Sequence, residues 1–112
     1  MTVKALLFAS IVLVAISMAA TWAHLLEMPS KLMLSRDDYF VVQQIYRGWA
    51  WLGVFIFSAL ACTTALALLS RGERMLTWAA AASAACIVIA LVVFFSYTFP
   101  ANQATANWTS IP

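Results

Sequence analysis

Five polar side chains stand where a very apolar chain changes direction: His24 and Glu27, then Gln43, Gln44 and Arg47. His24 and Glu27 are three residues apart and therefore share a helical face. An imidazole oriented by a carboxylate is a general base, and a guanidinium nearby can polarise a substrate oxygen. With Trp22, Trp49 and Tyr97 as aromatic walls, the group forms a candidate ligand-binding set for a flat molecule. His24, Glu27 and Arg47 are its candidate catalytic members. A simpler structural role competes with this one. A Glu27–Arg47 ion pair with His24 as a hydrogen-bond partner would anchor two neighbouring helices and do nothing more.

His24 has a third role open to it, as an axial ligand of a tetrapyrrole, with the small Ala20 one turn before it. No second histidine exists to complete such a site, and Met28 beside Pro29 is a poor substitute. One histidine, two distant cysteines and four scattered acids do not assemble a metal site. No serine or cysteine has a positioned base. No lysine lies inside an apolar run to form a Schiff base, and no polar stripe lines a pore. A net charge of +2 without a basic run argues against a nucleic-acid partner.

The elements that carry these residues are three uncharged apolar runs, 5–23, 48–70 and 75–100. A bilayer core of ~30 Å needs about 20 helical residues, so each run is long enough to cross. At 65% hydrophobic and 9% charged residues, the 112-residue chain lies outside the range of soluble domains. Lys4 and the small residues near Ser17 and Ala19 resemble a secretory signal, but the apolar stretch is longer than the ~7–15 residues of a signal core. It is read as a retained helix. Cys62 and Cys86 lie at different depths and are expected to be small packing residues.

The expected architecture is all-α: one transmembrane domain, 1–112, folded as an antiparallel three-helix bundle. Helix 1 is expected at about 3–28, ended by Pro29. Ser35 with Asp37 and Asp38 starts the second helix, about 36–70, whose opening turns are amphipathic and extramembrane. Gly48 and Gly53 are expected to be tolerated within it. After the turn at Arg71 to Arg74, a third helix of about 75–99 stops at Pro100 and leaves a tail, 100–112. The basic residues of that short turn favour an amino terminus inside and a carboxyl terminus outside, in a bacterial cytoplasmic membrane.

Small residues recur on two helices. Ala59, Thr63 and Ala67 repeat every fourth position, and 79–85 is alanine except for Ser83. Such faces let helices approach closely in lipid. The expected packing residues are Ala59, Thr63, Ala67, Ala81 and Ala85. The small surface of the last helix exceeds what two neighbours need, which points to docking against another membrane subunit, or a second copy. A non-catalytic accessory subunit of a respiratory or photosynthetic type of complex follows.

Three segments resemble a broad family of small bacterial membrane proteins of unknown function that includes the fungal anthrone oxygenases. They are Ala-His-Leu-Leu-Glu-Met-Pro-Ser-Lys (23–31), Tyr-Phe-Val-Val-Gln-Gln-Ile-Tyr-Arg-Gly-Trp (39–49) and Phe-Pro-Ala-Asn-Gln-Ala-Thr-Ala-Asn-Trp (99–108). The resemblance implies four membrane helices. It also implies, as the rival function, binding or oxidation of a flat aromatic or quinone-like compound at the group around His24. The fourth helix that the family places after the Asn-Trp segment has no counterpart before Pro112. The chain is then expected to be a three-helix variant or part of a longer product.

Overall fold

In the computed structural model, which describes residues 1–112, the Thr2 hydroxyl accepts the amide of Ala5 at 3.2 Å and starts α1, Val3–Lys31. The expected stop at Pro29 does not occur. Proline forfeits its own amide but not those after it, and Leu32 still donates to the Met28 carbonyl at 3.0 Å. α1 thus gains a last turn that carries Lys31.

Ser35 caps α2, Arg36–Gln43, by accepting the Asp38 amide at 3.2 Å, and Asp37 and Asp38 occupy its positive end. The single long helix expected from 36 to 70 is divided. A 3-10 turn, Gln44–Tyr46, is followed by an extended Arg47 and by Gly48 at φ +92°. A second 3-10 turn, Trp49–Trp51, then leads into α3, Leu52–Leu69. Only glycine enters that positive-φ region without steric cost, so Gly48 is a hinge and not a tolerated helix residue. Gly53 remains helical.

The turn into α4, Arg74–Val93, is held by Ser70, whose hydroxyl donates to the Leu66 carbonyl at 2.6 Å and whose carbonyl accepts the Glu73 amide at 2.8 Å. Pro100 does not stop the helical path either. The backbone widens into a π-helical segment, Phe94–Thr98, where the Phe99 amide reaches back to the Phe94 carbonyl, and α5, Phe99–Ala104, carries proline in its first turn. The wider turn relieves the clash that proline makes with the preceding turn of a regular α-helix.

Beyond α5, Ala106, Asn107 and Trp108 are all left-handed, at φ 47°, 56° and 65°. Such residues cost roughly 1–2 kcal/mol each outside glycine and asparagine. The strain is offset locally: the Trp108 amide donates to the Thr105 hydroxyl at 3.0 Å, and its indole donates to Asn102 Oδ1 at 2.8 Å. The tail therefore folds back onto α2.

Three helices, Val3–Lys31, Trp49–Leu69 and Arg74–Ala104, are long and apolar enough to cross a membrane. α1 and α4 both pack on α3. Leu6, Leu66 and Ala80 form the small core, and Ala59 and Thr63, at 0% and 2% exposure, are the closest-packed points of α3. Ala67 and Ala81 are half-buried, whereas Ala85 is exposed. Cys62 and Cys86 are free thiols.

Candidate functional site at the α1–α2 end

The last turns of α1 present His24, Glu27 and Lys31 on one face, since positions three and four apart superimpose on a helix. The turn 32–35 sends the chain back, so that Gln43 at the end of α2 and Tyr46 in the following 3-10 turn come over that face. Gly48 then bends the chain and sets Trp49 beside His24.

Lys31 is the centre of the cluster. Although it is a lysine, only 8% of it is exposed. Its Nζ donates to the Tyr46 hydroxyl at 2.8 Å and to Gln43 Oε1 at 3.4 Å, and it pairs with Glu27 Oε2 at 3.5 Å. An ammonium has three protons to donate, and three acceptors surround it. The Tyr46 hydroxyl in turn donates to the Glu27 carboxylate. The His24 ring lies 4.5 Å from that of Tyr46 and 5.0 Å from that of Trp49, and the latter two are 4.7 Å apart. These separations are those of edge-to-face and tilted aromatic packing.

The expected Glu27–Arg47 pair is absent. Arg47 sits in the extended link between the two 3-10 turns, where it is exposed, and Glu27 is taken by Tyr46 and Lys31. Of the eight residues proposed from the sequence, His24, Glu27, Gln43 and Trp49 come together. Gln44 faces the tail instead, donating to the Trp108 carbonyl at 3.3 Å. Trp22 and Tyr97 are 55% and 74% exposed and add no wall to the cluster.

Lys31 and Tyr46 are the members that sequence reasoning missed. The spacing of Glu27 and Lys31, four apart, was the available signal, and it was obscured by the expectation that Pro29 ends the helix. Trp108 was equally hidden. Its ring packs at 5.9 Å from Tyr39 and 5.5 Å from Phe40, covering α2.

Chemically, the cluster is closed upon itself. Burial, and next the hydrogen bond to Glu27, push the Tyr46 phenol above its ordinary value, with the Lys31 ammonium opposing. The folded state therefore holds this proton more tightly than the unfolded chain. That contribution to stability is complete at neutral pH, and it is lost as pH rises from the ordinary tyrosine range through the raised value. In an ultraviolet titration, the phenolate step removed by Tyr46→Phe is expected above the usual tyrosine range of ~10. A step at or below it would show that the Glu27 bond does not form. No group of three His, Cys, Asp or Glu side chains comes together anywhere in the chain.

Comparison with family models, with curated proteins and with solved structures finds no match for this chain.

Proposed function

We propose that this chain is a non-catalytic accessory subunit that lies in a bacterial cytoplasmic membrane as an antiparallel three-helix unit, amino terminus inside. It docks a helix of a larger membrane protein against α4. One observation carries the reading: α4 contributes only Ala80 to the interior, while Ala79, Ala82, Ala85 and Cys86 stand exposed at helical spacing. A strip of such small side chains gives lipid tails little to pack against and lets a second helix backbone come close.

Purification in mild detergent tests this. The chain is expected in a larger assembly of fixed stoichiometry, and Ala82→Phe with Ala85→Phe should release it as a free monomer. Val88→Phe, a bulky change at an already bulky exposed site, should leave the assembly intact. Recovery of the unaltered chain as a lone monomer overturns the proposal.

The rival reading, an anthrone-oxygenase-like binder with His24 as base, Glu27 orienting it and Arg47 polarising a quinone-like substrate, has weaker support. Glu27 is already engaged by Tyr46 and Lys31, and Arg47 stands apart. A tetrapyrrole on His24 would have to share its surroundings with the Tyr46 and Trp49 rings. If His24→Ala abolished binding of such a ligand, the rival would replace the accessory role.

A further inference from the structure

α2 buries none of its residues, and both of its connections are weakly constrained. In the turn 32–35 the amides of Met33 and Leu34 reach their acceptors at 3.3 and 3.2 Å, longer than the ordinary ~3.0 Å. At the other end Arg47 is extended and Gly48 stands at φ +92°, with nothing within 4 Å of the place a Cβ would take. A segment with so few buried contacts is among the first parts of a fold to open.

Together with the 3-10 turn that follows it, α2 closes over the end of α1. Between them lies a recess of about 480 Å³, lined by Glu27, Ser30 and Lys31 on one side and by Val42 and Ile45 on the other. Gln43 and Tyr46 come from the covering side and supply two of the three acceptors around the Lys31 ammonium. Lifting residues 36–46 therefore uncovers a cation that the closed fold keeps from water.

An adjoining face of α2, formed by Phe40 and Gln44 one turn apart, is held by the tail. The Trp108 ring packs on Phe40 and Tyr39, and Gln44 donates to the Trp108 carbonyl. Trp108 is itself fastened to α5 through Asn102 and the buried Thr105, whose hydroxyl also donates to the Ala101 carbonyl at 2.8 Å. Since α5 prolongs the third span, Arg74–Ala104, the tail ties α2 to that span. The tie is strained, because Ala106 and Trp108 carry a Cβ at positive φ. An attachment held against backbone strain gives way when a modest part of its contacts is lost.

We propose that residues 36–46 form a lid over the recess at the end of α1, hinged at 32–35 and at Gly48, and that the tail at Trp108 is its latch. Releasing the latch admits water-borne solutes to the Lys31 ammonium. The device does not depend on the docking strip of α4.

The chain has two lysines, Lys4 and Lys31, so acylation by a water-soluble acetylating reagent reads the lid against an internal standard. Lys4 is exposed at the opposite end of α1. The purified chain in mild detergent is treated with the reagent, and both sites are followed by mass spectrometry. With a lid that recloses faster than it is acylated, the rate at Lys31 follows the open fraction. In the unaltered chain Lys31 is expected to react about tenfold or more slower than Lys4. Trp108→Ala should speed Lys31 by about fivefold, the scale of a lost aromatic pair, and Trp108→Phe by less. Ala106→Gly relieves the latched tail of strain and should slow Lys31 further. Lys4 should be unchanged throughout. In hydrogen exchange, Trp108→Ala should lower the protection of α2 amides and leave those of α3 as they were. Equal rates at the two lysines in the unaltered chain, an unchanged Lys31 in Trp108→Ala, or lost protection that spreads to α3 overturns the latch. So does a faster Lys31 in Ala106→Gly.

Discussion

Lys31→Met is expected to destabilise the folded chain by about 2 kcal/mol, the range for hydrogen bonds made by a charged group. Methionine keeps the apolar stem, so the loss isolates the ammonium. Its bonds to Tyr46 and Gln43 and its pairing with Glu27 disappear together, and Tyr46 and Glu27 are left to each other. Relief of the ammonium's own desolvation offsets part of the loss, which keeps the figure below that of a fully interior ion pair. Arg47→Met should change stability by no more than ~0.5 kcal/mol, as expected for an exposed side chain away from a network. A detergent-unfolding titration of both variants checks this. Equal losses, or a larger loss at Arg47, would mean that the wrong cation has been placed at Glu27. In double-mutant cycles, Lys31→Met with Tyr46→Phe should be non-additive. Glu27→Gln with Arg47→Gln should add within ~0.5 kcal/mol.

Ala59→Leu should cost as much or more, about 1–3 kcal/mol. Ala59 is 0% exposed on α3, whose closest-packed residues Ala59, Thr63 and Leu66 follow one another at helical spacing. A leucine side chain has no void to enter there, so the helices packed on α3 must move apart. In lipid, where apolar burial gives no driving force, lost close packing is not recovered elsewhere. Gly53→Ala on the same helix meets nothing within 4 Å of the added methyl. It should be neutral or stabilising by up to ~1 kcal/mol, the difference in helix propensity. Thermal unfolding of the two variants in one detergent decides the point. A tolerated Ala59→Leu would show that α3 is not closely packed at that level.

The candidate cluster was half legible. His24 and Glu27 stood out because ionisable groups are costly beside an apolar run, and Gln43 and Trp49 followed from the short connection. Lys31 and Tyr46 did not stand out. Lys31 falls just past Pro29, where the sequence predicts a connection, and Tyr46 falls inside what it predicts as one unbroken helix. Both differences have one source: the effect of a helix breaker depends on what the next residues can bond and not on residue type alone. Pro29 and Pro100 were passed by a continuing carbonyl ladder and by a π turn, whereas Gly48, expected to be tolerated, is where the chain breaks.

From the sequence alone came the three apolar spans, the Ser35 cap and the burial of Ala59 and Thr63. Each depends on hydrophobic length, local hydrogen bonding or side-chain size, all of which are properties of a short segment. The tertiary structure decided which cation meets Glu27 and that Trp108 returns to cover α2. Those outcomes turn on the angle at one glycine and on three left-handed residues. Such geometry is set by distant contacts acting together, and no window of the sequence contains it.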